Sequence, residues 1–138
     1  MLRQSVAVSA VMLLALPGLA WALEEIETVS PERAAELGMI VRAKAAGAAA
    51  VGVELEFPTT GELTKFARVE LSMREGKKTL FFTELKEEKS PAGHTIVRFL
   101  TDRSRVPQIT LRVVTQDGLS RVARELAMKD FVDLGKAR

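Results

Sequence analysis

The sequence predicts an all-β domain built as an antiparallel sandwich, with two sheets and about seven strands. Short segments alternate apolar and polar residues, as strands with one buried face do. Turn residues (glycine, proline and aspartate) separate these segments at short, regular intervals. The sequence lacks the long helical periodicity that the connections of a parallel sheet require. A small β-barrel would show the same alternation and is the alternative architecture.

Residues 1–22 have the pattern of a secretory signal peptide. Arg3 supplies a positive start, residues 6–16 are almost entirely apolar, and Ala20-Trp21-Ala22 has the small residues of a cleavage site. The apolar run is shorter than the ~20 residues that a membrane-spanning helix needs, so we predict cleavage rather than retention as an anchor. The mature chain is expected to begin near Leu23, or two residues earlier, after export to the periplasm or out of the cell.

The mature chain is expected to fold as one domain without disulfide bonds. The sequence has 138 residues and no cysteine, so packing has to supply the stability that small secreted domains often gain from disulfides. Its length is enough for one hydrophobic core and too short for two. We expect an acidic lead-in over residues 23–38, the sandwich over 39–129 and a C-terminal tail over 130–138.

One short helix is expected inside the acidic lead-in. Residues 23–29 mix acidic and apolar side chains and are expected to be a loose segment. Ser30 is a suitable N-cap, Pro31 suits the first helical position, and Gly38 is a natural residue just beyond a helix end. A capped turn before the first strand is the alternative.

Seven strands are expected after Gly38, because apolar residues there recur at every second position. Asp117-Gly118 is typical of a tight β-hairpin turn between the last two strands. The expected strands cover residues 39–45, 51–57, 63–73, 79–86, 94–101, 108–116 and 120–129, with charged loops at 87–93 and 102–107. This architecture is similar to immunoglobulin and fibronectin domains, although the cysteine and tryptophan landmarks of antibody domains are absent from the mature sequence.

The sequence shows no catalytic constellation, so we expect a protein that is not an enzyme. Its one histidine, His94, lies beside a Pro-Ala-Gly turn, and neither a cysteine nucleophile nor a Gly-x-Ser-x-Gly turn occurs. The glutamates alternate with apolar residues, as on a solvated strand face. No tyrosine occurs, and the one tryptophan lies in the signal peptide, so stacking platforms for sugars or bases are not expected. We therefore predict no nucleic-acid partner.

Metal transport by His94 remains an alternative function. Exported copper carriers use histidine and methionine ligands, and Met39, Met73 and Met128 follow the signal peptide. Each methionine is in phase with apolar neighbours, however, which is typical of a core position. No cofactor and no metal ligand are predicted on balance.

A set of six arginines is the one positive functional feature of the sequence. Its members are Arg98, Arg103, Arg105, Arg112, Arg121 and Arg124. Guanidinium groups match phosphates and carboxylates, and Arg112 and Arg121 are expected to face each other across the Asp-Gly hairpin. Residues 23–62 carry a net charge of −5 and residues 63–138 one of +6, which would allow head-to-tail self-association. The simpler explanation of these arginines is that they lie on solvated strand faces, where charged side chains discourage aggregation between sheet edges.

Together these features predict an exported, non-enzymatic binding module of the cell envelope. It would hold a protein partner, or a second copy of itself, through sheet edges, loops or its arginine-rich end. Binding of an anionic lipid headgroup or wall polymer by the arginine set is the second hypothesis, and a periplasmic metal carrier using His94 is the third. No transmembrane segment is expected in the mature chain.

Overall fold

A computed structural model describes residues 8–14 and 22–135 of the chain. These residues form two sheets that pack against each other, which confirms the predicted all-β sandwich. The strands are β1 Val8–Leu14, β2 Ala22–Thr28, β3 Ile40–Ala45, β4 Ala50–Phe57, β5 Phe66–Glu75, β6 Lys78–Leu85, β7 Glu87–Lys89, β8 Thr95–Asp102, β9 Ile109–Asp117 and β10 Ser120–Ala127. One α-helix, α1 Pro31–Glu36, and three 3₁₀ turns, Gly61–Leu63, Arg103–Gln108 and Met128–Asp130, connect them.

The larger sheet has the strand order β1-β2-β10-β9-β5-β6, and the smaller has the order β3-β4-β8-β7. All neighbours are antiparallel except β2 and β10, which are parallel. Strands that are distant in sequence are neighbours in space, as β5 and β9 are, so the connections cross between the sheets. The run β10-β9-β5-β6 against β4-β8-β7 is the strand order of an immunoglobulin-type sandwich.

The core lies between the two sheets and is built from the inward face of each strand. β4 shows the alternation most clearly, because Val51, Val53, Leu55 and Phe57 are all fully buried while the residues between them are partly exposed. The ring of Phe57 packs edge-on against Phe66 at a centroid distance of 5.1 Å. Burial of side chains of this size contributes about 1.5–3 kcal/mol each relative to exposure. The core therefore supplies the stability that disulfides cannot.

The expected helix forms where its sequence signals lie. The Ser30 side chain accepts a hydrogen bond from the Arg33 backbone N–H at 3.1 Å, and Pro31 occupies the first helical position. Gly38 follows the helix with a φ of +78°, a left-handed conformation that glycine adopts without the strain a side chain would bring. Gly38 thus redirects the chain from the end of α1 into β3.

Two segments differ from the sequence expectations. Residues 22–28 are strand β2, which lies beside β10, whereas most of this stretch was expected to be loose. Residues 87–89 are the short strand β7 at the edge of the smaller sheet, within a segment expected to be a loop. Strand β2 pairs with β10, and β7 pairs with β8. Such pairing satisfies backbone donors and acceptors, and local sequence patterns do not reveal it.

Residues 1–7 and 15–21, which include Ala20 and Trp21 of the predicted cleavage motif, lie outside the described residues. Within the predicted signal peptide, the described residues are β1, whose backbone pairs with β2, and Ala22, with which β2 begins. The last three residues of the tail also lie outside the described range. In the described part of the tail, Val132 is buried against the core. Signal cleavage therefore stays a prediction.

Candidate functional site

The most unusual surface of the molecule is on strand β6. Leu80, Phe81 and Phe82 are consecutive and all exposed, the two rings at 52% and 59%. Phe81 and Phe82 project from opposite faces of the sheet, because successive strand residues alternate, so apolar surface flanks the strand on both faces. Contiguous exposed apolar surface on a soluble protein often marks an interaction site. We call these three residues the β6 patch.

The patch lies on the edge strand of the larger sheet, in the exposed part of the β5–β6 hairpin. Every residue from Arg74 to Phe82 is exposed, whereas Val69 and Leu71, further along β5, are buried. Among the described residues, β6 pairs only with β5, so its other side is a free sheet edge. The pairing with β5 shifts by one residue between Met73 and Arg74, and such a bulge increases the local twist of a strand.

Basic side chains surround the patch toward the hairpin turn. Arg74, Lys77 and Lys78 lie there with only Glu75 of opposite charge, and Glu84 lies at the other end of β6. All five are exposed. The free edge is thus positive at one end, apolar in the middle and negative at the other end.

The edges of the smaller sheet are protected in ways that β6 is not. Strand β7 has only three residues, all of them charged. Strand β3 presents Arg42 and Lys44 to solvent. Short and charged edge strands discourage pairing with other chains. Strand β6 is therefore the one edge of these three that combines length with apolar character.

A second apolar feature lies on the outer face of the smaller sheet. Gly52 faces Lys44 on one side and Leu100 on the other, and the missing side chain leaves a shallow groove of about 550 Å³. Leu100 is 68% exposed, but Arg42 and Arg98 stand beside it in ion pairs with Glu54. The groove exposes one large apolar side chain, whereas the β6 patch exposes three.

The structure does not bring the six predicted arginines together. Arg98 lies on the outer face of the smaller sheet and bonds Glu88 at 2.7 Å and Glu54 at 3.0 Å. Hydrogen bonding to Glu88, followed by the charge of Glu88, raises the pKa of Arg98 above its usual value. Arg103 and Arg105 lie in the 3₁₀ turn after β8. Arg103 donates to the carbonyl of Leu134 at 3.1 Å.

Arg112 and Arg121 lie on the outer face of the larger sheet and are not opposite each other. Arg112 faces Glu125 across the hairpin, and Arg121 faces Gln116, so the expected cross-hairpin arginine pair is wrong. Both side chains instead approach the carboxylate of Glu24 on β2. Its Oε2 is 3.9 Å from a guanidinium nitrogen of Arg112 and 3.4 Å from one of Arg121. Arg112 also bonds Glu125 at 2.6 Å.

Arg124 points into the protein, where it forms an ion cluster with the buried Glu27 and Arg33 and with Glu62, whose side chain is half exposed. The Arg124 Nε donates to Glu27 Oε1 at 3.0 Å, and the Arg33 Nε donates to Glu27 Oε2 at 2.7 Å. Glu62 Oε1 accepts from both guanidinium groups. Burial alone lowers the pKa of Arg33, but the hydrogen bonds that Arg33 donates to Glu27 and Glu62 outweigh it and raise that pKa. This cluster holds α1 and the 3₁₀ turn before β5 against β2 and β10.

The charge difference between residues 23–62 and residues 63–138 is largely balanced by ion pairs within the molecule. Acidic residues of the first half pair with basic residues of the second half in both sheets. The pairs are Glu24 with Arg112 and Arg121, Glu27 and Glu62 with Arg124, and Glu54 with Arg98. Little of the asymmetry is left to attract a separate polyanion or a second copy head to tail.

His94 lies at the start of β8 and bonds a single carboxylate. Its Nδ1 is 2.8 Å from Glu56 Oε2, and Arg42 also donates to Glu56. These two bonds, the one from Arg42 being stronger, lower the pKa of Glu56 below its ordinary value. Within the described residues, no group of three or more histidine, aspartate or glutamate side chains is placed to hold a metal ion.

Sequence reasoning missed both the β6 patch and the ion cluster. The sequence predicts only an ordinary strand over residues 79–86, and the adjacency of Leu80, Phe81 and Phe82 is the signal that not all three can share the buried face. For the cluster, Arg124 interrupts the apolar alternation of Val122 and Leu126 on β10 with a charge, and that interruption is the available signal.

Comparison with protein-family models, with curated proteins and with solved structures gave no match. Within the described residues, none of the helices has the length and apolar character required to span a membrane.

Proposed function

We propose that this protein is an exported, non-enzymatic module of the cell envelope that binds another protein chain through the β6 patch. The exposure of Leu80, Phe81 and Phe82 on a free sheet edge is the observation that carries the proposal. A free edge offers a row of backbone donors and acceptors to an incoming strand, and flanking apolar side chains add specificity. Aromatic side chains, phenylalanine among them, are also enriched at protein interfaces.

Export is the part of the proposal supported by the sequence pattern of residues 1–22. Its test is the intact mass of protein recovered from an exporting host. A mass that begins at Leu23 or Trp21 supports cleavage and export. A full-length mass found in the membrane fraction contradicts it.

Binding is tested by a photo-crosslinking residue placed at position 82 in cells that make the protein. We expect a covalent protein adduct from position 82 and little from position 100, which is a matched control because Leu100 is equally exposed but lies on the other sheet. Leu80→Ser placed in the same chain should weaken the adduct from position 82. Equal background labelling from both positions would contradict a binding role for β6.

Anion binding by the arginine set is the weaker alternative. Arg98, Arg112, Arg121 and Arg124 already bond carboxylates of the same chain, so an external anion has to displace those partners. Arg103 and Arg105 share one turn and are the pair to test. Salt-sensitive binding to anionic vesicles that Arg103→Ala with Arg105→Ala abolishes would favour this alternative over ours.

A further inference from the structure

We infer that the chain bound at β6 is a second copy of this protein, which pairs antiparallel with the same strand about a two-fold axis at Phe81. This inference rests on the proposed function, since it names the partner of the same edge. Symmetric dimers use one surface patch twice, so that surface has to be complementary to itself. The sequence of β6 meets that requirement.

Antiparallel pairing centred on Phe81 places favourable partners opposite each other along the strand. The opposed pairs are Lys78 with Glu84, Thr79 with Thr83, Leu80 with Phe82, and Phe81 with its own copy. Opposite charges, threonine pairs and apolar-aromatic pairs are the cross-strand combinations that stabilise a sheet. The positive-apolar-negative order of the free edge therefore becomes complementary when a second copy runs in the opposite direction.

Other registers lose this match. A two-fold axis at Phe82 would place Leu80 opposite Glu84 and Thr79 opposite Leu85. An axis at Thr83 would place Phe82 opposite Glu84. Leu80 is the extra residue of the bulge toward β5, between Thr79 and Phe81, which twists β6 locally, and a two-fold axis gives both copies the same twist. Pairing there joins the larger sheets of both copies into one continuous sheet.

The absence of cysteine from the whole sequence makes the geometry directly testable. Directly opposed residues of antiparallel strands have Cα atoms about 4.5–5.5 Å apart, which a disulfide bond can span. Phe81→Cys should therefore yield a disulfide-linked dimer under mild oxidation. Thr83→Cys is the matched control, because the two copies of residue 83 would be four residues apart along the pair, about 13 Å, and should not link.

Charge exchange tests the same register without a covalent bond. Lys78→Glu and Glu84→Lys should each weaken dimerisation by about tenfold, since each puts like charges opposite each other twice in a symmetric dimer. The double exchange should restore it. Residues 78 and 84 of one copy lie about 20 Å apart along the strand, so restoration by the double variant has to come from contact between copies.

Light scattering of the exported protein, with the two cysteine variants, decides the inference. A dimer mass, with linkage at 81 and none at 83, supports it. A monomer at about 100 μM with no linkage at 81, or equal linkage at both positions, overturns it. If the protein is a monomer while position 82 still crosslinks a different protein in cells, the inference fails and the proposed function stands. If position 82 crosslinks no protein chain at all, both fail.

Discussion

The ion cluster and the β6 patch are both exceptions to the usual distribution of side chains, in which charged groups are exposed and large apolar groups are buried. At the ion cluster, Arg33 and Arg124 are buried with Glu27, whereas at the patch Phe81 and Phe82 are exposed. The buried charges are acceptable because each has partners; among the described residues, no buried side-chain nitrogen or oxygen lacks one. Within the described residues, the two exposed rings are not buried against the core. The comparison teaches that the cluster is completed by contacts within one molecule, whereas the patch is the surface for which we propose a partner.

The largest expected loss of stability comes from a substitution that breaks the ion cluster. Arg124→Met leaves Glu27 buried with one partner fewer, and loss of one member of a buried ion network costs about 3–5 kcal/mol of unfolding free energy. Arg121→Met is the control, because its partly exposed contact with Glu24 at 3.4 Å should contribute less than about 1 kcal/mol. Urea unfolding of both variants provides the measurement. Equal, small losses would mean that burial of Arg124 does not matter.

The helix cap provides an intermediate effect at the same end of the molecule. Ser30→Ala removes the hydroxyl that accepts from the Arg33 N–H, and loss of such a cap costs about 1 kcal/mol. Thr60→Ala is the matched control, since Thr60 precedes the 3₁₀ turn without a side-chain capping bond. A loss for Thr60→Ala as large as for Ser30→Ala would contradict the assigned role of the Ser30 hydroxyl.

The pH dependence of stability sharpens the role of Glu62 in the cluster. Hydrogen bonding from Arg33 lowers the pKa of Glu62, so its contribution to stability is present above the unfolded pKa of about 4.3. That contribution is lost as the pH falls through the lower pKa of the folded state. The stability difference between wild type and Glu62→Gln should therefore shrink between pH 6 and pH 2. A difference that stays constant over this range would contradict the prediction.

The smallest effect on stability is expected at the β6 patch. Phe82→Ser should change the unfolding free energy of the monomer by no more than about 0.5 kcal/mol, because more than half of this residue is exposed and it lies outside the core. The same change at the fully buried Phe57 should cost about 3 kcal/mol or more. Chemical unfolding at low protein concentration separates the two. A large loss for Phe82→Ser would show that the ring serves folding rather than binding.

The sequence predicted the β4 and β9–β10 elements well and the functional surface poorly. Strict alternation from Val51 to Phe57 determines which face of β4 is buried, and Asp117-Gly118 determines the last hairpin, where Gly118 has a φ of +63°. In contrast, β2 depends on pairing with a strand about a hundred residues away. The candidate arginines were chosen by residue type, and their partners Glu24, Glu27 and Glu54 come from distant strands.

The sequence by itself determined the all-β class, the short capped helix and most strand positions, because alternation, caps and turn dipeptides act between neighbouring residues. Only the tertiary structure decided that Arg124 is buried, that Arg112 and Arg121 converge on Glu24, and that Leu80, Phe81 and Phe82 are exposed. Those outcomes depend on which strands are adjacent and on the position of β6 at the edge of the larger sheet. The physical reason is that burial and ion pairing depend on contacts between strands that are far apart in the sequence.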